Sequence, residues 1–284
     1  MESLAPDQEV MFDGGWETFA KWLDERSYTK IFVLVDENTE QDCYRRFPEF
    51  LQKRMTAHIV VPAGEQSKSL NQCKRIWRFL LQNDLDRDCL LINIGGGVIC
   101  DLGGFCAATI LRGIDFVHLP TSLLAMVDAA IGGKTGINFE GGKNLIGQFV
   151  HPRLLCIQTD FLNTLDERNI RSGLAEMTKH ALLESEDRWR EFYRAVRENQ
   201  LIFGEWIPLS VRFKSEIVKE DFREQHLRQI LNLGHTVAHA IESIDASGDL
   251  AGWLHGEAVW AGLWCTAFLS EKKYKGLALV DQLT

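Results

Sequence analysis

The sequence predicts two units of different class, an α/β amino-terminal unit followed by an all-α unit. Three observations carry this. Short apolar runs in the first half stop at acidic, Pro or Gly residues, as strands covered on both faces do. Helix-period stretches separate those runs, which argues a mostly parallel sheet. Beyond residues 150–165 the strand signals cease and helical patterning takes over. A length of 284 residues fits about two domains at roughly 150 residues each, and we set them at 1–160 and 161–284.

The strand runs are Ile31–Val35, closed by Asp36-Glu37-Asn38, then His58–Val61, closed by Pro62 and Gly64. Cys89–Ile94 and Phe116–Leu119 follow. Between them Ser69–Leu81 reads as a helix, and a second helix runs from the glycines at 95–97 to Ile110. The second half reads as helices over Glu167–Lys179, Glu186–Arg197, Ile207–Val218, Arg228–Ile241 and Gly256–Ser270.

Composition narrows the function. With 45% hydrophobic and 25% charged residues the chain is neither disordered nor a small disulfide scaffold. A net charge of −9 argues against polyanion binding, which needs a basic face, so no nucleic-acid partner is expected. No apolar run reaches about 18 residues and no signal peptide is visible, so no membrane span or export is expected. Seven cysteines with no CxxC spacing read as free thiols of a reducing cytoplasm.

Gly95-Gly96-Gly97 stands between a strand and a helix start, where backbone N–H groups and the helix end can meet a pyrophosphate. The spacing is not GxGxxG, and a tight structural turn explains it equally well. Asp36, ending the first strand, suits a ribose hydroxyl. Gly132-Gly133-Lys134-Thr135 resembles the tail of a P-loop, but Asp128 stands at its first glycine position, so that pattern fails. With Gly141-Gly142-Lys143-Asn144 it forms two loops offering ammonium groups to an anion. Glu176, with two of His235, His239 and His255, would make a carboxylate–imidazole–imidazole metal set with an open position; spacing does not decide which two. Lys179 shares a helix face with Glu176, and Arg228, Asn232 and His235 recur at helical spacing. A cluster of Lys214, Asp221, Glu224, Arg228 and Asn232 suits a polyhydroxylated acid or a phosphate. Separately, each of these is also explained by solvated surface or ordinary ion pairs.

Taken together the motifs carry a family. GGGVICDLGGFCAATILRG, LPTSLLAMVDAAIGGKTGIN, GGKNLIGQF, GLAEMTKH, NLGHTVAHAIE and LHGEAVWAG resemble 3-dehydroquinate synthase, from about Lys30 onward. The resemblance implies a Rossmann-like NAD-binding domain followed by a helical metal-binding domain. It implies conversion of 3-deoxy-D-arabino-heptulosonate 7-phosphate to 3-dehydroquinate and phosphate, in the shikimate pathway of aromatic amino-acid biosynthesis. NAD and a divalent metal, zinc or cobalt, are the implied cofactors, and a cytoplasmic homodimer is the implied assembly.

By motif, the resemblance makes Glu176, His235 and His255 the metal ligands and His239 a site residue. Lys134, Lys143, Asn144, Lys179, Lys214, Arg228 and Asn232 match substrate-contacting positions. Arg112 matches a phosphate-binding arginine given by the neighbouring subunit, and Asp128 and Glu224 match further active-site positions. For NAD the matches are Asp36, Asn38, Glu65, Lys68, Gly96, Gly97, Asp101, Thr121, Ser122, Phe161 and Thr164. Ser122 and Ala129-Ala130 replace Thr and Ser-Ser of the usual pattern. The family continues past the position of Thr284 through further helices and a basic segment with one more phosphate-binding lysine, so the helical domain is expected to be incomplete. Three other readings remain: a cyclase for a neutral sugar phosphate, a metal-dependent polyol dehydrogenase, and an impaired NAD-binding fragment.

Overall fold

In the computed structural model, described over residues 2–5, 8–246, 252–274 and 279–283, the chain divides into two compact units, Met1–Leu165 and Asp166–Thr284. The first contains, in order, β1 (Glu2–Ala5), β2 (Gln8–Phe12), α1 (Gly15–Asp24), β3 (Ile31–Asp36), α2 (Glu37–Asp42) and the short α3 (Glu49–Gln52). Then come β4 (Ala57–Val61), α4 (Leu70–Gln82), β5 (Leu90–Gly95), α5 (Gly97–Thr109), β6 (Asp115–Pro120), β7 (Lys134–Phe139), β8 (Gly142–Phe149) and β9 (Leu154–Ile157). The four expected strands appear within a residue of their expected ends.

Seven strands form one sheet in the order β1-β2-β9-β6-β5-β3-β4, parallel except for the β1–β2 pair. Every residue of β5 is buried, as a central strand covered on both faces requires. Helix α5 is apolar almost all round, with Ile99, Leu102, Phe105 and Cys106 in the core. Strands β3 and β5 are neighbours, yet the chain leaves β3 for β4 on one side and β5 for β6 on the other. This is the switch point of an open α/β sheet, where ligands bind beyond the carboxyl ends of the strands. Asp36 ends β3 there, and Gly95-Gly96-Gly97 joins β5 to α5.

The sequence reading missed β1, β2, α1, β9 and the β7–β8 hairpin. β8 is exposed or half-buried along its length, so it carries no core-facing apolar run to announce it. The two compact units divide between Leu165 and Asp166. The turn Thr159–Thr164 belongs to the first unit, because Asp13 accepts hydrogen bonds from the Thr159 backbone (2.6 Å) and hydroxyl (3.0 Å).

The second unit contains α6 (Glu167–Glu184), α7 (Glu186–Arg197), α8 (Phe203–Glu220), α9 (His235–Ala246), α10 (His255–Lys273) and α11 (Val280–Leu283). The continuous helix expected over 228–241 is corrected. Leu227–Asn232 is a 3-10 turn, and α9 begins after Gly234, whose φ of 80° breaks the helix. Arg228 and Asn232 therefore do not share a helix with His235. All seven cysteines are free thiols, six of them buried and Cys265 half-buried.

Candidate active site

In the first unit the polar residues gather around the carboxyl end of the sheet. Thr121 donates its backbone N–H to Gly95 O at 3.0 Å, so the start of the Thr121–Ser122 segment lies against the glycine turn. A Cβ on Gly96 would come 3.3 Å from Ser122 Oγ, and one on Gly97 would come 3.1 Å from the Ala129 methyl. Asp36 caps α2, accepting from Thr39 N at 2.8 Å while its own N–H donates to Thr39 Oγ1 at 3.0 Å. Asn38 is exposed on α2. Phe161 is buried beside Trp16, with ring centroids 5.9 Å apart, and accepts the Thr164 hydroxyl at its carbonyl (2.7 Å).

Lys68 is 4% exposed and donates to Asp101 Oδ2 at 2.7 Å and to Asn144 Oδ1, with Glu65 Oε1 at 3.6 Å. Burial raises the Asp101 carboxyl above the usual carboxylate range, against the opposing pull of the Lys68 ammonium. Lys134, Lys143 and Asn144 lie on the hairpin and are exposed; Asp128 is half-buried in the turn before it. Arg112 is exposed and follows Leu111 in a run of left-handed residues, φ 51°, 69° and 118° at Leu111, Arg112 and Gly113. A switch-point crevice, a glycine turn at a helix start and an acid at the neighbouring strand end fit a dinucleotide.

In the second unit, one carboxylate oxygen of Glu176 and one nitrogen each of His235 and His255 lie within 4.8 Å of one another. Glu176 is fully buried on α6. His255 Nε2 is 3.6 Å and His235 Nε2 is 3.9 Å from Glu176 Oε1. Glycines make this meeting sterically possible. A Cβ on Gly256 would sit 1.9 Å from Ser172 O, and one on Gly262 would sit 2.0 Å from Gly234 O. The start of α10 thus lies directly on α6 beside His255, and its second turn lies on the turn that launches His235.

The outer nitrogens are already engaged. His235 Nδ1 faces Leu233 O at 3.3 Å, and His255 Nδ1 faces Glu242 Oε1 at 3.2 Å. Both rings therefore turn Nε2 toward Glu176, the outer-shell arrangement typical of metal-binding histidines. Tetrahedral zinc at about 2.0–2.1 Å holds its ligand atoms about 3.4 Å apart, close to the spacings seen, so the donor set fits a divalent metal. Lys179, 1% exposed, contacts the Glu176 carboxylate. Burial lowers the His235 imidazole, and Lys179 pushes it the same way. Burial also opposes charge on His255, but its bonds to Glu176 and Glu242 outweigh that and raise it to about 9.

His239 is one turn along α9, exposed, with its ring 5.5 Å from that of His235; the group with Glu176 and His235 that could hold a metal includes His255 and not His239. Arg228 is 2% exposed and donates to Phe222 O at 2.7 Å. Its turn is organised by Asp221, which accepts from the backbone N–H of Gln225, His226 and Arg228 at 2.9, 2.7 and 3.0 Å. Burial works against the Asp221 charge, but those three donors outweigh it and hold the carboxyl low. Asn232 Nδ2 donates to Glu224 Oε1 at 2.7 Å. Lys214 is buried on α8. Sequence reasoning overlooked Glu242, which stands two turns beyond His235 on the same helix face, and Asn138 of β7, which no spacing rule flags.

Family profiles for the amino- and carboxy-terminal domains of 3-dehydroquinate synthase match residues 58–172 and 173–282. The chain belongs to the 3-dehydroquinate synthase family. The 3-dehydroquinate synthase of Parabacteroides distasonis is 41% identical over 253 residues, covering 88% of this chain and 71% of that protein. That of Legionella pneumophila strain Philadelphia 1 is 45% identical over 263 residues, covering 90% and 70%. Two solved structures share the fold of these synthases. A 2-deoxy-scyllo-inosose synthase complexed with carbaglucose-6-phosphate, NAD+ and Co2+ superposes with a TM-score of 0.82 at 22% identity, over 94% of this chain and 74% of that one. A 2-epi-5-epi-valiolone synthase of Streptomyces hygroscopicus with NAD+ and Zn2+ bound gives 0.78 at 25% identity, over 96% and 76%.

Proposed function

We infer that this chain is an NAD- and metal-dependent carbon–oxygen lyase converting 3-deoxy-D-arabino-heptulosonate 7-phosphate to 3-dehydroquinate and phosphate. The observation that carries the reading is the meeting of Glu176, His235 and His255, within 4.8 Å, in a chain of this family. These three hold the metal; one carboxylate and two imidazoles are a donor set that suits a divalent ion, zinc or cobalt. When bound, the metal polarises the oxygen of the alcohol being oxidised, and the dinucleotide supplies a reversible hydride acceptor.

The protein's own residues bind and position. Asp36 and Asn38 take the ribose side of NAD, Gly96 and Gly97 its pyrophosphate, and Glu65, Lys68, Asp101, Thr121, Ser122, Phe161 and Thr164 the rest of its surface. By the family motifs, Arg228, Lys179, Lys214, Asn232 and Glu224 of the second unit and Lys134 and Asp128 of the first are the residues that take the substrate acid, Arg228 and Lys134 taking its carboxylate. Lys143, Asn144 and Arg112 hold the phosphate, and His239 passes a proton at the leaving oxygen. Arg112 comes from the second subunit of a cytoplasmic homodimer. In support, Arg112 is exposed. Among the described residues no helix is long and apolar enough to cross a membrane. The substrate class is a small phosphorylated sugar acid; a cyclase for a neutral sugar phosphate has no use for the cluster of Lys214, Arg228 and Asn232.

The test is phosphate release from the heptulosonate phosphate, with and without NAD and zinc. Release needing both, without accumulation of reduced nicotinamide, is the expected result, because the hydride returns to the same molecule. Reduced nicotinamide rising in step with turnover moves the chain to the polyol dehydrogenases. Release only from a neutral sugar phosphate moves it to the other cyclases, and no turnover with intact NAD binding leaves the impaired-fragment reading.

A further inference from the structure

We propose that Asn138 is a positioning residue that ties the phosphate-binding hairpin to the dinucleotide-binding loop. The inference rests on the reading above for Glu65, Lys68 and Asn144. The β7–β8 pairing is irregular between Ile137 and Phe139: Ile137 faces Ile146 and Phe139 faces Gly142, so Asn138 alone stands opposite Lys143, Asn144 and Leu145, and the extra residues of the bulge lie on β8. A bulge frees backbone from the ladder and re-aims a side chain. The freed Asn138 N–H donates to Lys68 O at 2.9 Å. Its side-chain amide donates to Glu65 Oε1 at 2.8 Å, and its carbonyl accepts from Asn144 N at 2.9 Å. Lys68 in turn donates to Asn144 Oδ1.

One residue thus bonds to two NAD positions and one phosphate position. The bond to Asn144 N matters because Asn144 has a left-handed backbone, φ 54°. Asn is among the non-glycine residues that tolerate this conformation best, and the bonds it makes hold it there. Asn138 Oδ1 and Lys68 Nζ grip the backbone and the side chain of Asn144 respectively. Ordering of the 64–68 loop by NAD therefore orders Asn144 before phosphate arrives, which is coupling through a shared network.

The experiment uses the full chain with metal loaded and measures NAD affinity with and without saturating inorganic phosphate. In the wild type, phosphate tightens NAD binding. In Asn138→Ala that tightening shrinks by about fivefold or more, and KM for the heptulosonate phosphate rises while kcat changes little. Asn138→Asp keeps the acceptor for Asn144 N but sets a second carboxylate against Glu65, so coupling falls. Adding Glu65→Gln to it restores a donor–acceptor pair, and coupling recovers relative to Asn138→Asp alone. A merely structural lesion would not be rescued this way, and this pair decides the matter if Asn138→Ala does not fold. Coupling absent from the wild type, unchanged in the variants, or unrescued in the double variant overturns the proposal. Wild type that couples NAD and phosphate but releases no phosphate from substrate counts against the function and not against Asn138.

Discussion

Lys68 in the first unit and Glu176 in the second are both nearly or fully buried charges, yet their surroundings differ in kind. Lys68 is met by acceptors, with Asp101 Oδ2 at 2.7 Å, Glu65 Oε1 at 3.6 Å and the Asn144 side chain. Glu176 is met by nitrogens, with Lys179 in contact and two imidazole Nε2 atoms at 3.6 and 3.9 Å. The first cluster neutralises itself and fastens loops to one another. The second concentrates groups that compete with one another for protons, because the imidazoles must be neutral to act as ligands. Polar burial in the first unit ties loops to one another; in the second it gathers donor atoms that could hold a metal.

The largest expected effect comes from breaking the second cluster. Glu176→Gln removes the one anionic ligand, and phosphate release should fall by about 10³-fold, with metal lost on dialysis while the helices stay folded. Metal analysis and circular dichroism check both halves of that statement, and a variant that retains stoichiometric metal and full turnover would erase the contrast.

The first unit can be probed through stability instead. His118 of β6 is buried against Asn93 of β5, Nδ1 to Nδ2 3.3 Å, and burial holds it at about 3, far below its usual 6.5. The unfolded chain therefore takes up a proton on His118 that the folded chain refuses. The stability present above about pH 6.5 is lost progressively as pH falls toward 3, by about 3 kcal/mol at pH 4. Urea unfolding of His118→Gln at pH 7 and pH 4 should show a flatter pH dependence than the wild type; parallel curves would remove His118 as the cause.

A cation in the second unit outside the metal cluster gives a smaller kinetic effect. Arg228→Ala should lower kcat/KM by about 10²-fold through loss of a charge-assisted contact to the substrate carboxylate. Arg228→Lys should recover only part of it, since one ammonium does not replace a planar fork. Unchanged kinetics in Arg228→Ala would remove the carboxylate role.

The sequence made the parallel core legible because strands buried on both faces leave continuous apolar runs, as Cys89–Ile94 does. It hid the β7–β8 hairpin, whose β8 strand is exposed or half-buried along its length and so carries no core-facing run. Glu176, His235 and His255 were legible by residue type and motif, but spacing alone left three histidines for two places. What separates them lies in tertiary contacts: Gly256 on Ser172, and Gly262 on Gly234. The break at Gly234 escaped notice because the flanking residues keep helical periodicity across it. Asn138 escaped because a bulge is a property of pairing, not of either strand alone.

The smallest expected effect separates scaffold from ligand at a single residue. Asp36 caps α2 through Thr39 N at 2.8 Å, and the reading above also gives it the NAD ribose. Asp36→Ala loses both, with about 1 kcal/mol of stability and weaker NAD binding. Asp36→Asn keeps an acceptor for Thr39 N, and Asn caps as well as Asp, so stability should stay near the wild type. Its NAD affinity should still fall, because a neutral amide accepts a ribose hydroxyl less strongly than a carboxylate. Thermal unfolding and NAD titration of the two variants separate the roles. If Asp36→Asn binds NAD like the wild type while Asp36→Ala is merely less stable, Asp36 belongs wholly to the scaffold.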